Sequence, residues 1–84
     1  MSYEEALRKG NVKIGTKQTM KVLETGSALE VFVAKDAEPR VTAKVIQLCR
    51  KCGVKVTYVE TMKMLGKACG IEVGAAAAAL CKDS

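Results

Sequence analysis

Eighty-four residues leave room for one domain with one hydrophobic core, and a chain this short buries roughly 60–65% of the surface its unfolded form exposes. Apolar residues make up 49% of it, too many for a disordered tail, yet no apolar run approaches the ~20 residues that span a bilayer. Fourteen Lys and Arg against nine Asp and Glu give a net charge of +5, an excess that favours polyanionic partners.

In chain order, Met1-Ser2-Tyr3-Glu4-Glu5 carries early acids and no hydrophobic region, so it is not a signal peptide and a cytoplasmic location is expected. Ser2 to Lys9 reads as a short amphipathic helix with Ala6 and Leu7 inward, closed by Gly10. Val12-Lys13-Ile14 alternates as a brief strand and Gly15 ends it. A second helix follows from Thr16 or Lys17 to Thr25, with Met20 and Leu23 inward and Gly26 after its end. Leu29 to Ala34 is a strand whose unbroken Val31-Phe32-Val33 predicts burial on both faces.

The third helix has Asp36 ahead of it, Pro39 in its first turn and Gly53 beyond its end. Val41, Val45, Leu48, Cys49 and Cys52 fall at i, i+4, i+7, i+8 and i+11 and form its apolar stripe. Lys55 to Val59 is the next strand, with Val56 and Tyr58 opposing Thr57 and Val59. Thr61 caps a short fourth helix that runs through Cys69 to Gly70. The alanines from Ala75 to Ala79 have strong local helix propensity, but alternation of strands and helices along the whole chain favours a final strand. The expected fold is therefore α/β, a three-layer α/β/α sandwich with a four-stranded mixed sheet, formed by one domain over residues 1–84.

Several chemistries are poorly supplied. There is no His, which removes the commonest general base and neutral metal ligand. There is no Trp, and Tyr3, Phe32 and Tyr58 cannot make a stacking platform for single-stranded bases. Cys49-Arg50-Lys51-Cys52 spells C-x-x-C, but Cys69 and Cys81 do not form a second such pair for zinc. A redox pair belongs at a helix N-terminus, whereas this one closes a helix on its apolar stripe. Gly10 to Lys17 resembles a P-loop except that Thr16 precedes Lys17, which misplaces the hydroxyl meant for magnesium. Glu4, Glu5, Glu38, Glu60 and Glu72 show no catalytic spacing. No enzyme activity, cofactor or metal is expected.

What remains is the strand-to-helix turn Ile14-Gly15-Thr16-Lys17-Gln18-Thr19-Met20-Lys21. It gathers backbone N–H groups, the Thr16 hydroxyl, Lys17, the Gln18 amide and Lys21 at a helix start, where they can hold a phosphate or meet purine edges. A solvated polar helix start is the alternative. A second basic set, Lys63 and Lys67, flanks Gly70-Ile71-Glu72-Val73-Gly74, whose Ile71 and Val73 either fill the core or meet a ligand.

These segments together resemble the ribosomal protein L-seven-Ae family of kink-turn RNA-binding proteins. The run Leu65-Gly66-Lys67-Ala68-Cys69-Gly70-Ile71-Glu72-Val73 is the specific signal and the Gly15-Thr16 turn the weaker one. The likeness is greatest to short bacterial members of the YbxF type and extends along essentially the whole chain. It implies an α/β/α sandwich and places the alanine segment in a strand. It also implies that Gly15, Thr16, Lys17, Gln18 and Lys21 face the tandem sheared G·A pairs of a kink-turn and the phosphates beside them. Ile71, Glu72 and Val73 would cover the flipped bulge nucleotides, with Lys67 beside them. Where many archaeal and eukaryal members carry Asn-Glu, this chain has Lys17-Gln18, which adds charge and a donor at the guanine edge. The expected partner is a kink-turn in ribosomal RNA, a riboswitch or another non-coding RNA, bound by a monomer, with ribosome association implied. The competing readings are a thiol or metal protein using Cys49 and Cys52, and a basic protein–protein interaction module.

Overall fold

The computed structural model describes Leu7 and residues 10–82. Their order is β1 (Asn11–Ile14), α1 (Thr16–Glu24), β2 (Ala28–Ala34), α2 (Pro39–Cys52), β3 (Lys55–Val59), α3 (Met62–Ala68) and β4 (Ala77–Cys81). The helix expected over residues 2–9 lies outside the described residues except at Leu7, which is helical and buried. The strands pair in the order β1-β4-β2-β3. β4 runs antiparallel to both its neighbours and β2 is parallel to β3, so the sheet is mixed, as expected.

Side-chain alternation along the strands divides the core into two. β2 sends Val31 and Val33 to one face and Phe32 and Ala34 to the other, and all four are buried, as their unbroken run implied. On the first face they meet α1 and α2 through Leu23, Val45 and Cys49. On the second they meet Leu7 and α3 through Leu65 and Ala68. Helices therefore cover both faces, which is the three-layer sandwich.

The alanine segment is a strand, and it is a central one. Ala77 and Ala79 face the α1–α2 layer, Ala78 faces the α3 layer, and all three are fully buried. Pairing on both sides and burial on both faces outweigh the local helix preference of such a run. A methyl group is all that a strand between two helical layers needs here, and it lets those layers lie close.

One expectation needs correction, and two further features were not expected. Cys52, the last residue of the α2 stripe, is exposed, because the helix ends at that turn and leaves the sheet. Two threonines are buried instead. Thr42 on α2 sets its hydroxyl near the carbonyls of Glu38 and Pro39, at 3.5 and 3.4 Å, and Thr19 on α1 has no solvent exposure. Asp36 lies ahead of α2, as expected, and the N-cap of that helix is Glu38 with Pro39 following. Its Oδ1 accepts from the Met62 amide at the start of α3, at 2.7 Å. β2 and β3 are parallel neighbours, so the turn after one lies beside the turn after the other.

Candidate nucleic-acid interface

Topology brings three helix starts to one end of the sheet. β1, β2 and β3 share a direction, each runs into a helix, and β4 begins where they end. Backbone bonds tie that end together. The Gly15 amide donates to the Ala77 carbonyl at 2.9 Å, Ala34 to Ala76 at 2.9 Å, and Lys35 to Val59 at 2.8 Å. None of the three helices has an acidic residue in its first turn, but Glu38 is the N-cap of α2 and Asp36 reaches the start of α3. Only the α1 start therefore has no acid of the described residues capping it or bonded to its amides.

The starts differ in how their amides are used. At α3 the Thr61 Oγ1 accepts from the Met64 amide at 3.0 Å and Asp36 takes that of Met62. At α2, Pro39 occupies the first position. At α1 the N-cap is Gly15 and no side chain among the described residues caps the helix. Its φ of 105° and ψ of 154° suit glycine alone, and they turn the chain from strand to helix with no linker. Thr16 is half-buried there, Lys17, Gln18 and Lys21 are exposed, and Thr19 points into the protein. The result is an uncapped helix start with two lysines and an amide around it. The P-loop likeness ends here, since residues 11–14 are paired into the sheet as β1.

The second segment, between α3 and β4, is fixed along α3 by its backbone. The Ile71 amide donates to the Gly66 carbonyl and the Ala75 amide to the Met62 carbonyl, both at 3.0 Å. The approach is close enough to require glycine. A β-carbon on Gly66 would meet the Val73 carbonyl, and one on Gly74 would press on Met62 at 3.1 Å. Ile71 is half-buried against the core, so part of it fills the interior. Glu72 is exposed and Val73 is 69% exposed, a large apolar side chain held in solvent by a rigid loop. Lys63 and Lys67 are exposed on α3 beside it.

All nine residues singled out in the sequence thus lie on two segments joined at one sheet end by the Gly15–Ala77 bond. Two residues that help build this end had no local signal. Asp36 acts across 26 positions, and Gly74 is set by what lies opposite it in space. Charge is available there too. Among the described residues the only ion pair joins Lys35 to Glu60 at 2.9 Å, so Lys17, Lys21, Lys63 and Lys67 are not engaged in one.

The thiols point away from chemistry. Burial, helped by the neighbouring Cys52, pushes the Cys49 thiol from 9.0 up to about 11, and burial also raises Cys69. A nucleophile or metal ligand needs the opposite shift. Cys52 Sγ donates to the Leu23 carbonyl at 3.5 Å, and among the described residues no three Cys, Asp or Glu side chains cluster as metal ligands. No helix among the described residues is long and apolar enough to cross a membrane.

The sequence matches the family described as Ribosomal protein L7Ae/L30e/S12e/Gadd45 over residues 2–84. It is 52% identical over 80 residues to an RNA-binding protein of Geobacillus sp. (strain WCH70), covering 95% of this chain and 98% of the relative. It is 51% identical over 80 residues, with the same coverage, to RNA-binding protein YbxF of Geobacillus stearothermophilus. Its fold superposes on the 15.5kD RNA binding protein of Giardia lamblia with a TM-score of 0.85, at 24% identity, over 96% of this chain and 68% of the other.

Proposed function

The chain belongs to the Ribosomal protein L7Ae/L30e/S12e/Gadd45 family, and from that premise we propose that it binds RNA and recognises a kink-turn. The observation that carries this reading is the uncapped, lysine-flanked start of α1 beside the rigid loop bearing Val73, at the end of the sheet where three helices begin. A kink-turn folds two anionic stems towards each other, and that bend is costly without cations. The amides of the first α1 turn with Lys17 and Lys21 offset the phosphate repulsion, while the Gln18 amide reaches the edges of the sheared G·A pairs. Ile71 and Val73 cover the flipped bulge bases, Glu72 supplies an acceptor, and Lys67 supports the backbone there. Residues 1–84 act as one monomeric, non-catalytic domain in the cytoplasm, reading shape and G·A geometry rather than a long sequence, and the RNA it holds is ribosomal or another structured non-coding RNA.

The test is a gel-shift titration with a kink-turn RNA and a control in which the G·A pairs are converted to Watson–Crick pairs. Tight binding to the first and its loss on the second is the expected result. Equal binding to both means nonspecific electrostatics and returns the interaction-module reading to the front.

A further inference from the structure

α1 and α2 lie side by side on one face of the sheet, and the seam between them holds three adjoining depressions that share Met20 and together form a groove. It starts at Thr16 and Lys17, passes over Met20, and ends beside Lys51. Its α2 wall is a single stripe. Arg40, Lys44, Gln47 and Lys51 recur at i, i+4, i+7 and i+11, all are exposed, and none carries a negative charge. They extend over about 16 Å of helix. Lys17 and Lys21, one turn apart, line the α1 wall. Five cations therefore face the groove against two acids, Glu24 and Glu38, and among the described residues none of the five is in an ion pair.

We propose that this groove receives the phosphate backbone of one arm of the bound RNA, extending the contact beyond the kink along Arg40, Lys44 and Lys51. The inference rests on the kink-turn reading of the α1 start, because the groove opens directly from it at Thr16 and Lys17. The charge pattern suits a polyanion whose charges repeat along its length. The apolar content does not suit a docked protein. The exposed large apolar side chains of the described residues, Leu29, Tyr58, Met64 and Val73, all lie outside the groove walls, and its floor offers only half-buried Met20, Val41 and Leu48. Lysine stems lying over that floor keep their ammonium groups at the rim, at the level of passing phosphates.

The experiment titrates the full chain and an Arg40→Ala/Lys44→Ala/Lys51→Ala variant against kink-turn RNAs with each arm, in turn, full length or cut back to the pairs beside the kink. The three side chains are exposed, and circular dichroism confirms that the variant folds. Shortening one particular arm should weaken the parent by about tenfold at low salt, and the variant should be weaker by the same factor on the full RNA. The variant should lose nothing more when that arm is shortened, and its salt slope should be lower by about two to three. The proposal is overturned if the variant binds the full RNA like the parent, as it would if the groove served a protein partner. It is equally overturned if the variant's loss is unchanged by shortening either arm. A parent that prefers the kink-turn to its G·A control while ignoring arm length removes this inference alone. A parent with no such preference removes the kink-turn reading and this extension with it.

Discussion

The β-carbon that Gly66 lacks would collide with the carbonyl oxygen of Val73. No rotamer relieves that overlap, because the backbone fixes where a β-carbon sits and the oxygen is itself backbone. Alanine adds about 1 kcal/mol of helix preference over glycine, and forcing extra volume into a packed site costs about 1–3 kcal/mol. The overlap is with backbone, which puts the cost at the upper end of that range, so Gly66→Ala should lower stability by about 2 kcal/mol in urea unfolding. It should also weaken kink-turn binding at temperatures where the variant is fully folded, since the loop bearing Val73 must move away from α3. A stable variant that binds like the parent would show that the loop's position does not matter for RNA.

Lys17 and Lys21 flank the α1 start, and neither is engaged in an ion pair among the described residues. Replacing either with Ala should weaken binding and reduce the salt slope by about 1, with no change in unfolding free energy. Titrations at several salt concentrations read both effects. If both single variants bound like the parent, the site would lie elsewhere.

Thr19 is completely buried and its hydroxyl has no hydrogen-bond partner among the described residues. Valine has nearly the same shape and leaves no polar atom to desolvate. Thr19→Val should then stabilise the protein by about 1 kcal/mol. A destabilised variant in urea unfolding would reveal a partner for that hydroxyl.

Cys49 gives the protein an alkaline limit. Below pH 9.0 its thiol is protonated both folded and unfolded, so it adds no pH dependence. Between 9.0 and about 11 the unfolded chain ionises while the folded one holds its proton, so stability falls as pH rises through that window. Cys49→Val removes this contribution. The difference in unfolding free energy between parent and variant should drift in favour of the variant across the same window, and a flat difference would contradict the buried neutral thiol.

Asp36 holds Met62, and the Met62 carbonyl holds the Ala75 amide. Asp36→Ala should cost about 1 kcal/mol, the usual price of losing an N-terminal cap, and should speed hydrogen exchange at the Met62 and Ala75 amides. Asp36→Asn keeps an oxygen acceptor and should retain most of the protection. Unchanged exchange in the alanine variant would mean that the carboxylate does not hold the loop.

Local pattern carried most of the fold. Alternation in β1, the unbroken apolar run of β2, glycines after α1 and α2, and Thr61 before α3 place their elements within a residue or two. The second candidate segment stands out for a different reason, as a motif spanning Leu65 to Val73 in which Gly66 answers to a contact with Val73 and Gly70 to a turn with positive φ. Gly66 looked like one more helix residue until Val73 was seen against it. Cys52 failed because helical periodicity continues in sequence after the surface it packs on has ended. The bond from the Met62 amide to Asp36 was not legible, because it joins residues 26 positions apart in the chain. The α1–α2 groove was out of reach because two stripes had to be set side by side by packing before either meant anything.

The strand order also sets a sequence in time. Among the described residues β1 pairs only with β4, so within them the edge strand leading into the α1 start has no sheet partner until residues 77–81 have been synthesised. Before that, β2 and β3 can pair with each other, but the Gly15–Ala77 bond that joins the two halves of the site cannot form. A growing chain on the ribosome would therefore carry the lysines of the interface without its geometry, and selective capture of a folded RNA would begin only once the final strand slides between its neighbours.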